Sequence, residues 1–164
     1  MTEYQRLFLV QARTDFEVFE LLKAQSDLPP CHSLHYLQMA TELLGKAHAW
    51  KDGPPPKLSH KAFVPFLRSL STNRKAQNLL GYKQNESWEN LIRNSLPLAE
   101  SIQKLAPDLA EDGPNPEYPW PRNAPKIAPK QYTFTIWQEL QEPTMGRQFL
   151  KLLKNLFAAA EAIL

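Results

Sequence analysis

The residues best suited to chemistry lie on one predicted helix near the start of the chain. His32 and His35 are three positions apart, and Glu42 and Lys46 are four apart further along. Imidazole and carboxylate groups are the usual proton-transfer pair of a hydrolytic enzyme. The structural alternative is a partly buried, hydrogen-bonded His35, an exposed His32 at the helix entrance, and a Glu42–Lys46 surface pair worth about 0.2–0.5 kcal/mol.

Metal and nucleophile motifs are absent from this segment. A two-histidine zinc helix has histidines at positions i and i+4 with a glutamate beside the first, whereas His32 and His35 are spaced i, i+3. Cys31 is the only cysteine, and its neighbour His32 points about 100° away around a helix, which is unsuitable for a base. The five glycines are not clustered into a phosphate-binding loop. We therefore predict no metal, no cofactor and no catalytic residue.

A stretch of one charge sign runs from Gly53 to Asn85 and contains no Asp or Glu. Its basic residues, which we call the basic stretch, are Lys57, Lys61, Arg68, Arg74, Lys75 and Lys83, with His60 beside them. The next segment, Glu86 to Glu117, carries seven acidic residues. An exposed basic stretch would attract phosphate groups, whereas one that packs against the acidic segment would be neutralised by it.

Two aromatic residues, Tyr118 and Trp120, stand in a proline-rich segment. Seven prolines fall between Pro107 and Pro129, so a continuous helix is excluded and we expect an irregular crossover over about residues 107–135. Large amphipathic rings of this kind either anchor a partner or hold their own loop onto the protein.

Helical periodicity predicts the elements that position these residues. Thr2 and Gln5 have capping-box spacing before a helix of about 24 residues, and a second helix is expected from Cys31 to Trp50. Pro97 is expected to kink a later helix. The remaining helix starts are expected at Ser59, at Asn73, at Asn85 or Ser87, and at Thr144.

The predicted fold class is all-α: an up-and-down bundle of four to five long helices, with the proline-rich crossover before the last one. Tyr132, Phe134 and Ile136 alternate with polar residues over too few positions for a sheet, so only a short extended stretch is expected. A chain of 164 residues with 43% hydrophobic content suits a single domain, residues 1–164. No run is apolar enough to span a membrane, so we expect a cytoplasmic protein.

Part of the second predicted helix, from His35 to Ala47, resembles the helix-two signature of the HEPN superfamily. The matching positions are Gln38, Ala40, Glu42, Lys46 and Ala47. The Tyr118-Pro119 pair before an Ala-rich final helix, Gln148 to Leu164, also resembles that family. The order of elements is similar over most of the chain.

The resemblance implies a helical bundle that binds a nucleotide or RNA, or that pairs with itself or with a nucleotidyltransferase-type protein. Many HEPN ribonucleases carry an Arg followed, after four to six residues, by a His. No Arg in this chain precedes a His at that spacing, and the last histidine is His60. The resemblance therefore implies a non-nucleolytic member.

Two function hypotheses follow. The favoured one is a binding or interaction module without catalytic residues. Its candidate binding residues are His35, Glu42, Lys46, Lys57, His60, Lys61, Arg68, Arg74, Tyr118 and Trp120. The alternative is a hydrolytic or nucleolytic enzyme that uses His32, His35 and Glu42, joined by His60 or His48 through folding. It requires at least two of these side chains to converge in one cleft.

Overall fold

A computed structural model describes residues 1–50, 60–121 and 125–164. Within these ranges the chain forms eight α-helices and one 3-10 turn, and it forms no β-strand. One isolated backbone bridge joins Trp120 to Ile127. The prediction of an all-α helical bundle is confirmed. Of the helices in these ranges, none has both the length and the hydropathy of a membrane span.

Four helices are long and four are short. The long ones are α1 (Glu3–Lys23), α2 (Pro30–Ala49), α5 (Asn85–Gln103) and α8 (Met145–Ile163). The short ones are α3 (Phe63–Leu70), α4 (Arg74–Leu79), α6 (Pro107–Ala110) and α7 (Thr135–Gln141), and the 3-10 turn covers Pro129–Gln131.

The first two helices pack against each other as a hairpin. The start of α1 is the predicted capping box: Thr2 Oγ1 accepts the Gln5 N–H at 3.2 Å, and Gln5 Oε1 accepts the Thr2 N–H at 2.8 Å. One face of α1 buries Phe16 and Phe19, and a fully buried Phe contributes about 1.5–3 kcal/mol. This hairpin fixes the helix that carries the candidate residues.

Helix α5 lies at the centre, in contact with α2, α3, α7 and α8. Its Trp88 is fully buried and donates its indole N–H to the Leu70 carbonyl at 2.7 Å. This carbonyl, at the end of α3, also accepts the Asn73 N–H at 3.0 Å, so two hydrogen bonds replace the helical partner that it lacks. The helix continues through Pro97, which is exposed.

Three predicted features need correction or lie outside the described residues. Ile136 does not extend the stretch of Tyr132 and Phe134, because it is in α7, where Ile136 and Leu140 are buried one helical turn apart. Thr144 precedes α8, but its side chain makes no capping hydrogen bond. Ser59 is outside the described ranges.

Candidate functional site

Glu42 of α2 is the centre of a buried polar cluster. Its Oε2 accepts a hydrogen bond from Gln38 Nε2 at 2.7 Å and lies 2.6 Å from His60 Nδ1. Lys46 Nζ donates to the other carboxylate oxygen. Glu42 is only 4% exposed, so these partners replace the water it loses on folding. We call Gln38, Glu42, Lys46 and His60 the Glu42 cluster.

The Glu42 carboxylate is ionised at neutral pH despite its burial. Burial alone would favour the neutral acid, but hydrogen bonds from Lys46 and His60 outweigh it and hold the pKa of Glu42 below its ordinary value. Gln38 adds a third stabilising hydrogen bond. Glu42 therefore acts here as a charged acceptor, and it has no proton to donate.

His60 meets a carboxylate at both ring nitrogens. Its Nδ1 faces Glu42, and its Nε2 lies 3.3 Å from Asp108 Oδ2 of α6. Folding thus brings His60 to Glu42, as the enzyme hypothesis requires. A general base also needs a nitrogen within reach of the substrate, and in this arrangement both nitrogens of His60 face protein oxygens.

The other histidines of α2 lie apart from the Glu42 cluster. His35 Nδ1 is 3.4 Å from Glu117 Oε1, an ion-pair distance without hydrogen-bond geometry, and its ring meets the edge of Tyr36. His32 is exposed. The His48 ring packs against the Phe66 ring, with a distance of 5.0 Å between the two centroids. Only His60 joins Glu42.

Cys31 and the acidic residues offer no ready metal or thiolate site in the described part of the chain. Cys31 is buried, and burial raises the pKa of its thiol, which disfavours the nucleophilic thiolate. Within residues 1–50, 60–121 and 125–164, no three His, Cys, Asp or Glu side chains are arranged to hold a metal ion.

The basic stretch meets the acidic segment at α5. Arg68 Nη2 of α3 lies 2.9 Å from Glu100 Oε1, and Arg74 Nη2 of α4 lies 3.8 Å from Glu89 Oε1. Internal pairing, one of the two alternatives, therefore holds for Arg68 and Arg74. Lys61, Lys75 and Lys83 are exposed, and Lys57 lies outside the described residues.

The two aromatic residues of the crossover have different environments. Trp120 is 5% exposed and packs edge-on against Tyr132, with a centroid distance of 5.4 Å, and against Phe134. It therefore holds the crossover onto the bundle. Tyr118 is 60% exposed and borders a cleft of about 190 Å³ shared with Asp108 and Glu111.

A second, larger groove of about 810 Å³ lies where the α1–α2 corner meets α7 and α8. We call it the α8 groove. Its charged lining residues are Glu20, Lys23, Arg147, Lys151 and Lys154. Its apolar lining residues are Leu28, Pro30, Trp137, Leu140 and Leu150, and its neutral polar ones are Gln25, Ser26 and Gln141.

Three cations of α8 form a row along this groove. Arg147, Lys151 and Lys154 are spaced i, i+4 and i+7, so they share one helix face, and all three are exposed. In the part of the chain that the structure describes, none of them has a carboxylate within ion-pair distance. Glu20, the acidic residue of the lining, lies 3.7 Å from Lys23.

Helix stability does not explain the position of Arg147. It lies in the first turn of α8, where the helix dipole is positive and a cation costs about 0.3–1 kcal/mol. Pro30 brings the N-terminal end of α2, also positive, to the same groove. The electrostatics of the groove thus favour an anionic ligand.

The α8 cations were not predicted as a site, although the sequence carries a signal for them. Residues 145–160 contain no Asp or Glu, and their three cations repeat at the helical spacing. The contribution of Trp137 could not be recognised, because no helix was predicted over the residues of α7.

No protein-family model, no curated protein and no solved structure matches this chain.

Proposed function

We propose that this chain is a non-catalytic, HEPN-like binding module that takes a phosphate-bearing ligand, a nucleotide or RNA, in the α8 groove. The observation that carries the proposal is the row of Arg147, Lys151 and Lys154 without carboxylate partners among the described residues. Cations concentrated in a concave site attract anions, and the groove volume falls within the usual range for ligand sites of about 300–1,000 Å³.

The HEPN-like part of the proposal rests on the matching positions of α2. Gln38, Glu42 and Lys46 interact with one another and with His60. In this proposal the motif is structural, because it attaches α2 to the residues that precede α3. The absence of an Arg-to-His spacing and the two carboxylates around His60 support a non-catalytic role.

The α8 groove is a better phosphate site than the basic stretch. Arg68 and Arg74 already have carboxylate partners on α5, so a phosphate would have to compete with them. Lys75 is exposed but does not line the groove. We therefore expect the main binding energy to come from α8.

The test is equilibrium binding of a labelled RNA oligonucleotide and of nucleotides at about 50 and about 200 mM salt. We expect the Lys151→Glu/Lys154→Glu variant to bind RNA at least tenfold more weakly. Three phosphate contacts predict a log–log salt slope of about 2, at about 0.7 per phosphate of a single strand, and the variant should have a smaller slope. The RNA should remain uncleaved.

The matched control is Lys75→Glu/Lys83→Glu, which reverses two exposed charges of the basic stretch. It should bind within about twofold of the wild-type chain. Absence of RNA and nucleotide binding at low salt would refute the proposal. RNA cleavage that disappears in His60→Ala would favour the enzyme hypothesis instead.

A protein-partner function is the second candidate, and an exposed apolar row on α1 favours it. Tyr4, Leu7 and Val10 are spaced three residues apart and are 57%, 52% and 54% exposed. A homodimer or a nucleotidyltransferase-type protein could cover such a surface. Sedimentation of the wild-type chain and of Leu7→Lys tests the homodimer: a dimer that the substitution dissociates supports it, and a monomeric wild-type chain excludes it.

A further inference from the structure

The spacing of the α8 cations suits a strand better than a single nucleotide. A helix rises about 1.5 Å per residue, so Arg147 and Lys151 are separated by about 6 Å along the axis and Lys151 and Lys154 by about 4.5 Å. The cations are therefore distributed over about 10 Å rather than gathered at one point. The phosphates of a strand repeat along its length, whereas those of a mononucleotide lie together at one end.

Trp137 gives the groove an aromatic surface beside this row. It is half-buried, packs against the core and lines the groove together with Leu150. A ring fixed in this way is a platform for stacking of a nucleobase, and stacking accepts any base because every base has an aromatic face. Stacking requires an unpaired base, so a duplex does not meet this requirement.

The distance between the aromatic surface and the cation row is fixed by close packing of α7 on α8. A Cβ atom at Gly146 would lie 2.3 Å from the Glu139 carbonyl oxygen, so the two backbones touch where α8 begins. Trp137 and Arg147 are on the two sides of this contact. The site is therefore preorganised, and little ordering is needed when a ligand binds.

We propose that the ligand of the α8 groove is single-stranded nucleic acid, an inference that rests on the proposed function. One base stacks on Trp137, and the following phosphates bind Arg147, Lys151 and Lys154. The neutral polar side chains of Gln25, Ser26 and Gln141 offer only a few hydrogen-bonding groups to base edges. Recognition is therefore tolerant of sequence and depends on the length of the strand.

The first experiment is a length series on the wild-type chain. Single-stranded oligonucleotides of one to about eight nucleotides and a free nucleoside triphosphate are titrated at about 50 mM salt. Affinity should rise at least tenfold between one and about four nucleotides, as the cation row is filled, and then level off. A duplex of the same sequence should bind at least tenfold more weakly.

The second experiment follows tryptophan fluorescence. Trp88 and Trp120 are buried, and Trp50 stacks on Tyr4 away from the groove, with a centroid distance of 4.4 Å. Bound oligonucleotide should quench the emission of the wild-type chain and of Trp50→Phe. Trp137→Leu should show little quenching and at least fivefold weaker binding.

The outcomes separate this inference from the proposed function. If the triphosphate binds as tightly as the longer oligonucleotides, or the duplex as tightly as the single strand, the inference is wrong while phosphate binding stands. Unchanged quenching in Trp137→Leu would also overturn it. If Trp137→Leu does not fold, the length series and the comparison of duplex with single strand still test the inference. Failure of every ligand to bind refutes the proposed function itself.

Discussion

His60 Nδ1 lies 2.6 Å from Glu42 Oε2, which attaches the residues before α3 to the middle of α2. One helical turn away, Gly45 makes a second attachment, since a Cβ atom there would lie 2.5 Å from the Ala62 carbonyl carbon. A side-chain hydrogen bond and a backbone contact thus fix the same junction. The Glu42 cluster is accordingly expected to contribute to stability, and this can be measured.

We predict that Glu42→Gln lowers the free energy of unfolding by about 2–3 kcal/mol. The substitution keeps the shape of the side chain but leaves Lys46 without its buried counter-charge and His60 without its carboxylate partner. Urea unfolding measures the change. The control is Glu89→Gln, whose ion pair with Arg74 is exposed and should contribute less than about 1 kcal/mol. Equal losses in the two variants would contradict a special role for the cluster.

The stability of the wild-type chain should fall in acid partly because of Glu42. Burial opposes its ionisation, but the hydrogen bonds from Lys46 and His60 prevail, so its pKa is lower in the folded chain than the ordinary 4.5. The resulting stabilisation is present above pH 4.5 and is lost as the pH falls through the folded pKa. Between pH 7 and pH 3, the free energy of unfolding measured with urea should decline less for Glu42→Gln than for the wild-type chain. Equal declines in the two chains would contradict this role of Glu42.

Asp15 should have the opposite pH dependence. Burial raises the pKa of this α1 carboxyl more than the hydrogen bond from Gln11 and the charge of His35 lower it, and its Oδ2 has no hydrogen-bond partner. Ionisation of Asp15 therefore costs stability as the pH rises above 3.8. Asp15→Asn removes that cost, so its stability relative to wild type should increase from pH 4 to pH 7.

The control for Asp15 is Glu17→Gln, on the exposed side of the same helix. The stability of Glu17→Gln relative to wild type, measured as the free energy of unfolding, should not increase from pH 4 to pH 7. A difference for Asp15→Asn that stays constant between pH 4 and pH 7 would show that burial does not raise the pKa of Asp15.

Gly146→Ala should destabilise the chain by about 1–3 kcal/mol, although alanine is the better helix former. The added methyl would meet the carbonyl oxygens of Glu139 and Leu140 at 2.3 and 2.5 Å, which would force α7 away from α8. Thermal unfolding measures the loss, and RNA affinity should fall with it because Trp137 moves with α7. Gln148→Ala, exposed on α8, should stay within about 0.5 kcal/mol.

Several helix starts could be predicted because their signals are local. The Thr2 capping box and the Asn73 cap, whose side chain accepts the Ala76 N–H, require only neighbouring residues. Helix α7 was missed because it is short, follows the proline-rich crossover and begins with the β-branched pair Thr135 and Ile136. Its helical form depends on packing against α8, which is a tertiary effect.

The site was predictable only in part. Placing His35 and Glu42 on one helix is correct, but their partners come from elsewhere: Glu117 of the crossover for His35 and His60 for Glu42. No spacing rule predicts such pairs, because they depend on how the helices pack. The α8 cation row is local and could have been found, whereas the groove beside it exists only where four helices meet.

The α8 groove also links ligand binding to completion of the fold. One wall comes from the α1–α2 corner and the other from α7 and α8, segments far apart in sequence. Contacts of this kind require closure of the whole intervening chain. During synthesis, a chain on which α8 has not yet emerged presents no groove, so the proposed RNA ligand would select finished molecules over folding intermediates and would stabilise them by mass action.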